Sequence, residues 1–435
     1  MSTLKIGTGV ADITPKKSIF LYGYPHVERY STGVHDPLYS TALYLEDGTT
    51  RALILANDIA GFDKPLAQKI KSGISEKTGI PRNHIILSAT HTHSGPRTTQ
   101  HIANENDPVV PPPDQEYLDF MSRQVIEAGI SAAQEPREAS AEFAEGNGEG
   151  IGTNRRDPAG PADLSVPVLV FRDNDGKALA CMLVCSMHPT VLHEDSKLVS
   201  ADFPGMSRKY LQEKVFSPSV PVLHLMGASG NQSPRHVTKS NTFEEAERLG
   251  QILGKAVEKA AGEAKPLEQP VLDVRSAEVD LPRKQFPPLE EAEERLRGAI
   301  NRLENLRKNG APSQEVRTAE CDWFGAEEIV TLARADQQGK LEESYSSSLP
   351  AEITAIGIGG HYIVGWPCEI FIEYQLDLKK QVSRSYPVSL SNGELHGYIV
   401  TEEAAEEGGY EASNSLFGPD AGKRIVEETV NLLKG

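Results

Sequence analysis

The sequence predicts an α/β protein in which mixed β-sheets are surrounded by helices and a charged helical hairpin is inserted late in the chain. Three observations carry this. Short β-branched runs alternate with amphipathic helical stretches; several of the runs stop at histidine, glycine or proline; and from Pro287 to about Gln338 the texture changes to charge-rich helix. At 435 residues the chain is longer than one simple core usually supports, so a single large, elaborated domain over 1–435 or two intimate ones is expected, with the 287–338 hairpin inside it. Neither an internal repeat nor a low-complexity linker divides it.

The elements follow in order. Gly7 to Pro15 reads as a strand closed by Asp-Ile-Thr-Pro, and Tyr39 to Leu45 alternates as a strand whose hairpin partner is Ala52 to Ala56 across Asp47-Gly48. A helix over about 64–77 has Asp63 as its cap, Leu66, Ile70 and Ile74 on one face and Gly79 at its end. The apolar run Ile85-Ile86-Leu87 leads into His91-Thr92-His93 and is stopped by Gly95-Pro96. A long polar loop, Arg97 to Pro113, has the length of a lid or binding element, and a helix over about 115–133 follows it. Further strands are expected at 141–144, 166–171, 179–186, 220–226, 353–358 and 362–364. Thr242-Phe243-Glu244-Glu245 opens a helix to about Ala261, and a last helix runs over about 420–433. Within 287–338, Leu289, Ala292, Leu296, Ala299, Leu303 and Leu306 keep heptad spacing, Gly310-Ala311-Pro312 breaks it, and Val316, Trp323, Ile329 and Leu332 mark the return. Such a hairpin can shape a substrate entrance or make a homodimer contact, and a plain surface hairpin fits the same pattern.

Composition excludes some partners. The 44 Lys and Arg against 62 Asp and Glu leave a net charge of -18, which argues against nucleic acid and against docking on anionic membranes. Neither a membrane-spanning run nor a secretory pattern at Met1-Ser2-Thr3-Leu4-Lys5-Ile6 is visible, so a cytoplasmic location is expected, or a secreted one if this is a processed form. Cys181, Cys185, Cys321 and Cys368 are too scattered for a disulfide framework; Cys181 and Cys185 are expected to be buried free thiols.

The chemistry concentrates at strand ends. On a strand, His91 and His93 would face the same side, where two imidazoles can share one metal ion; two unrelated histidines at a polar strand end fit equally well. His188 again stands where an apolar strand stops. Gly227 to Pro234 is a glycine-bearing turn that exposes backbone amides and Ser233, and Glu369, Tyr398 and Tyr410 close the set.

Thr90 to Pro96, Asn154-Arg155, Met187-His188-Pro189-Thr190, Gly230-Asn231-Gln232-Ser233-Pro234, Pro367-Cys368-Glu369, Tyr398-Ile399-Val400-Thr401 and Gly409-Tyr410-Glu411 occur in an order that resembles the catalytic domain of the neutral (non-lysosomal) ceramidases, as does the opening Gly9 to Thr14. The resemblance runs to the C-terminus but without the additional β-domain of the longer members. It implies a zinc-dependent hydrolase that cleaves the amide of an N-acyl sphingoid base, with His91, His188, Glu369 and Tyr398 on Zn2+ and His93 beside the metal. It also places Arg155, Ser233 and Tyr410 around the scissile amide. Arg155 is followed by Arg156-Asp157-Pro158 where the family shows Ser-Pro, and a surface turn is the alternative there.

On this view a zinc-activated water attacks the amide carbon, Tyr410 helps to stabilise the oxyanion, and His93 protonates the departing amine. Ser233 is read as a hydrogen-bonding neighbour rather than a nucleophile, since zinc already supplies one. The expected substrate is ceramide or a smaller N-acyl amine; 6% aromatic residues and a polar 97–113 loop suggest a less greasy mouth than a lipid enzyme needs. Alternatives are a zinc hydrolase of a small ester, lactone or sugar-derived amide, and a non-catalytic binding relative.

Overall fold

The computed structural model describes residues 4–435; the opening Met1-Ser2-Thr3, which enters the targeting argument, lies outside the described residues. Three sheets organise the chain, and each contains one parallel strand pair. In the first, Tyr39–Glu46 turns back antiparallel onto Arg51–Asn57, with the Asp47 carboxylate accepting the N–H groups of Thr49 and Thr50 at 2.9 and 2.8 Å. The helix Lys64–Thr78 then crosses over, and Ile85–Ala89 returns parallel to Arg51–Asn57. That helix starts where Asp63 accepts the Leu66 N–H and stops where Gly79 turns left-handed at φ 69.

Lys5–Asp12 is the next strand of this sheet, and the helix Gln115–Gln134 lies directly on it. A Cβ on Gly7 or Gly9 would stand 2.0 Å from the carbonyl oxygen of Ala132 or Ala128, so only glycine admits this approach.

The second sheet runs Val222–Met226, Ala178–Cys185, Ser165–Arg172, Ser140–Asn147 and Lys265–Pro266, with the first two parallel. The third runs Leu272–Val279, Ala351–Ile358, His361–Gly365 and Ser385–Val388, with the last two parallel. Leu43, Ile54, Ile86, Phe171, Met182, Leu223 and Ile356, drawn from all three sheets, are buried in one shared layer. Parallel pairs need crossovers, and here they are the helices Asp202–Lys214 and Ile372–Gln381. The sequence pattern does not reveal either. Pro204 is tolerated because it lies in the first helical turn, and Gly205 is needed because a Cβ would meet Ala201 at 2.8 Å. The strand Leu272–Val279 is also unannounced: Leu272, Asp273, Val274 and Arg275 alternate, but Ser276-Ala277-Glu278 breaks the pattern.

The inserted segment forms the helices Leu289–Lys308 and Ser313–Gln337. Ala292 packs with Ile329, Val330 and Ala333 between them, and Leu303 is also buried, while Leu289, Leu296, Ala299 and Leu306 are only partly covered. The second helix leans on the single turn Ile102–Asn104 and on the short helix Tyr410–Ser413 of the same chain. Trp323 and Phe324 stack on His26 at 4.7 and 5.5 Å between ring centres. Its apolar and aromatic side chains are thus used within the chain, and the expected homodimer contact finds no support. The cysteines are all free, three of them buried, and no helix among the described residues is long and apolar enough to cross a membrane.

Candidate active site

The C-terminal ends of the three parallel pairs converge, which is where open α/β sheets place their ligands. His91 follows Ile85–Ala89, His188 follows Ala178–Cys185, and Glu369 follows His361–Gly365. Tyr398 is paired with Glu369 in a short parallel ladder of Glu369–Ile370 with Tyr398–Ile399. The glycine turn after Val222–Met226 has a different task from the one expected. Gly230 donates its N–H to the Ile370 carbonyl at 2.9 Å and lies so close that a Cβ would meet that carbonyl at 2.9 Å, so the turn braces the Glu369 strand.

His91 and His93 correct the simple strand picture. The strand ends at Ala89, and His91 has a left-handed backbone, φ 66. It is held there by its N–H on the Ile59 carbonyl at 2.9 Å and its Nδ1 on the Ala60 carbonyl at 2.7 Å. His188 is fixed in the same manner, with Nδ1 2.6 Å from the Ser229 carbonyl. A carbonyl only accepts, so in both rings Nδ1 carries the proton and the Nε2 lone pair is directed elsewhere. Both lone pairs converge on one oxygen of Glu369: His188 Nε2 lies 2.9 Å and His91 Nε2 3.3 Å from Oε2. Two imidazole lone pairs and a carboxylate facing one another call for a cation or a proton between them, and this donor set, each ring fixed from behind by a backbone carbonyl, fits a metal ion such as zinc. Burial alone would raise the Glu369 carboxyl, but His91 and His188 outweigh it and hold it well below the usual carboxylate range. Burial keeps the His188 imidazole below its ordinary value.

His93 is different. Its Nε2 is 3.2 Å from His91 Nε2, and the nitrogens of His91, His93 and His188 all lie within 4.8 Å of one another, so a place on the metal is geometrically open to it. Yet its buried Nδ1 has no hydrogen-bond partner among the described residues. The ring is held by packing instead, edge-on to Tyr22 and Tyr24 at 5.5 and 5.7 Å, with Gly23 (φ 108) so near that a Cβ would stand 2.4 Å from Nδ1. Burial, then the neighbouring His91 and His188, push its basicity well below the ordinary imidazole value.

Tyr398 and Tyr410 meet edge-on at 5.9 Å. Burial, then the Glu369 charge, raises the Tyr398 phenol well above its usual value. Arg155 is half-buried, its side chain 15% exposed, and it faces inward: its guanidinium lies over the Tyr398 ring at 5.2 Å and its Nε donates to Glu411 at 2.8 Å. Ser233 sits on a two-residue strand against Thr153–Asn154 and accepts the Arg235 N–H at 3.2 Å. No side-chain base is hydrogen-bonded to it among the described residues.

An open cleft lies over His91, His93, Glu369, Tyr398 and Tyr410. Its other walls hold residues that the sequence reading does not single out: Phe20, Tyr22 and Tyr24, then Arg97, His101 and Asn104 of the long loop, and Glu328 and Asn414. The aromatic spacing of Tyr22-Gly23-Tyr24-Pro25 was a usable signal for the first group. Glu328 stands among other helical acids and carries none. His396 stacks on His101 at 4.8 Å, with Glu394 3.2 Å from His101 Nε2, forming a buried polar layer behind the cleft.

Comparison with known proteins gives the family. The chain is 24% identical to the neutral ceramidase of Pseudomonas aeruginosa over 95% of its own length and 69% of that protein, and 27% identical to the neutral ceramidase of Drosophila melanogaster over 22% of its length and 14% of that protein. The crystal structure of the Pseudomonas aeruginosa enzyme superposes on the whole chain and on 74% of its own, with a TM-score of 0.77 at 18% identity. The model of the family described as neutral/alkaline non-lysosomal ceramidase, N-terminal, matches residues 4–224, more than half of the sequence, and the chain therefore belongs to the neutral/alkaline non-lysosomal ceramidase family of amide hydrolases.

Proposed function

We propose that this chain is a zinc-dependent hydrolase of N-acyl amines, with His91, His188, Glu369 and Tyr398 holding the ion. The observation that carries the reading is the convergence of the His91 and His188 Nε2 atoms on Glu369 Oε2, each ring locked from behind by a backbone carbonyl. Zinc in such a place supplies an activated water and a Lewis acid for the amide carbonyl. The chain's own residues do the rest. Half-buried, with a buried Nδ1 that has no hydrogen-bond partner among the described residues, His93 is placed to pass a proton to the departing amine. The Tyr410 phenol borders the cleft, where it can donate to a developing oxyanion. Arg155 bears on Tyr398 and positions it. Ser233 acts as a local support, since the nucleophile arrangement of a serine hydrolase requires a base that it lacks. The neutral ceramidases among the relatives make ceramide the first long-chain substrate to test.

The test is metal analysis of the purified protein together with hydrolysis of a short-chain and a long-chain N-acyl amine. Stoichiometric zinc, lost in His188→Ala and in Glu369→Gln along with turnover, is the expected result. Zinc content unaffected by both substitutions would overturn the site.

A further inference from the structure

Arg29 is fully buried behind the site, yet no ion pair to a carboxylate accompanies it among the described residues; Glu194 and Asp195 act on it only at longer range. Burying a cation in this way is costly unless its donors are paired, and here each of the five N–H groups is used. Nη1 donates to the carbonyls of Tyr22 and His93 at 2.7 and 2.9 Å, Nη2 to those of Ser196 and His193 at 3.0 and 3.4 Å, and Nε to Ser196 at 3.2 Å. The guanidinium also lies over the Tyr24 ring at 4.9 Å. A planar fork with five donors suits this set of carbonyls, and a lysine ammonium with three does not.

These bonds hold the surroundings of His93. His91 and His188 each have a ring nitrogen on a backbone carbonyl, whereas His93 Nδ1 has no partner among the described residues. The His93 ring therefore goes where its own backbone and its neighbours Tyr22, Gly23 and Tyr24 put it. One nitrogen, Nη1, clamps the Tyr22 carbonyl to that of His93, and the face of the guanidinium supports Tyr24. Its other edge reaches His193 and Ser196, in the loop that follows His188. From this geometry we infer that Arg29 is a positioning residue for proton transfer, fixing the His93 imidazole where the amine departs while touching neither substrate nor metal. The inference rests on the amide-hydrolase reading with His93 as its acid. The His91 and His188 rings are anchored on Ala60 and Ser229, outside this set, so zinc binding does not depend on it. The Tyr22 N–H on the Gly95 carbonyl at 2.9 Å remains when the guanidinium is removed, so the turn is loosened rather than lost.

The experiment uses the full-length, zinc-loaded protein and compares a short-chain N-acyl amine with the p-nitrophenyl ester of the same acid. An amine must take up a proton to leave, whereas p-nitrophenolate leaves without one. Arg29→Met is expected to lower kcat for the amide by about 10²-fold, the loss that a misplacement of about 1 Å brings, with KM changed by less than about threefold. Ester hydrolysis should fall by less than about threefold, because it does not draw on the acid. If Arg29→Met does not fold, Arg29→Lys provides the same comparison. A second readout is independent of turnover: nitrogen-15 ring spectra of the histidines, with His93→Gln supplying the assignment. The His93 signals should shift or broaden in the Arg29 variant, while those of His91 and His188 and the zinc content stay as in the wild type. Equal losses on amide and ester in a folded, zinc-replete variant, or unchanged His93 signals, overturn the inference. If the wild type cleaves no amide, the hydrolase reading fails, and the ring spectra still decide whether Arg29 fixes His93.

Discussion

His93 and the glycine beside it make the most direct residue-level tests. His93→Ala is expected to retain zinc while turnover falls by about 10²–10⁴-fold, the usual contribution of a positioned general acid; a variant that loses the metal instead would make His93 a ligand. Gly23→Ala should act on the same ring from outside. At φ 108, with a Cβ 2.4 Å from His93 Nδ1, alanine costs about 1–2 kcal/mol of backbone strain and displaces the imidazole, so thermal midpoint and turnover should fall together. Glu328 gives a pH signature. Its carboxyl is raised from about 4.5 to about 8 in the fold, so between those values the native state keeps a proton that the unfolded chain has released. This contribution is fully present below about pH 4.5 and is lost as pH rises through about 8. Glu327 adds to the effect, while Lys284, Asn104 and Asn414 oppose it. Denaturation at pH 5 and pH 8 should show Glu328→Gln losing less stability across that interval than the wild type, by up to a few kcal/mol. His91, His188, Glu369 and Tyr398 are named as a set by the family resemblance; the chain's own pattern marks only that they stand near strand ends. Glu328 is marked by neither, because its role comes from two amides far away in the chain.

At the level of elements, the sequence is legible where periodicity and caps agree. The helix Phe243–Glu263 illustrates this: Thr242 accepts the Glu245 N–H at 3.4 Å as expected. The Glu245 carboxylate, however, turns to Lys239 N–H and to Arg248 and leaves the capping box half made. Thr242→Ala should therefore lower stability by about 1 kcal/mol, read as a shift in the denaturant midpoint, and leave kcat/KM unchanged. Legibility failed for the crossover helices Asp202–Lys214 and Ile372–Gln381, whose form is imposed by the parallel pairs they connect rather than by their own pattern. It was incomplete for the inserted hairpin. Its heptads announced two helices, but the partners of the second, His26 and the segments 102–104 and 410–413, are visible only in three dimensions.

For the whole molecule, the shared apolar layer and the candidate metal cluster join the same three sheets. Zinc binding at His91, His188 and Glu369 should accordingly stabilise the fold as a unit, by about 4 kcal/mol when free zinc is a thousandfold above its dissociation constant. A single cooperative melting transition that moves upward with zinc, returns on chelation and is insensitive to zinc in Glu369→Gln is the expected outcome. The spread of the ligands along the chain also bears on how the protein is made. Both histidines leave the ribosome with most of their partners still unsynthesised, and the carboxylate and Tyr398 emerge only near the end of translation. A nascent chain can therefore offer an ion no more than an incomplete set of donors, so an ion held by this proposed set would be loaded late in biogenesis, after the first sheet has been synthesised.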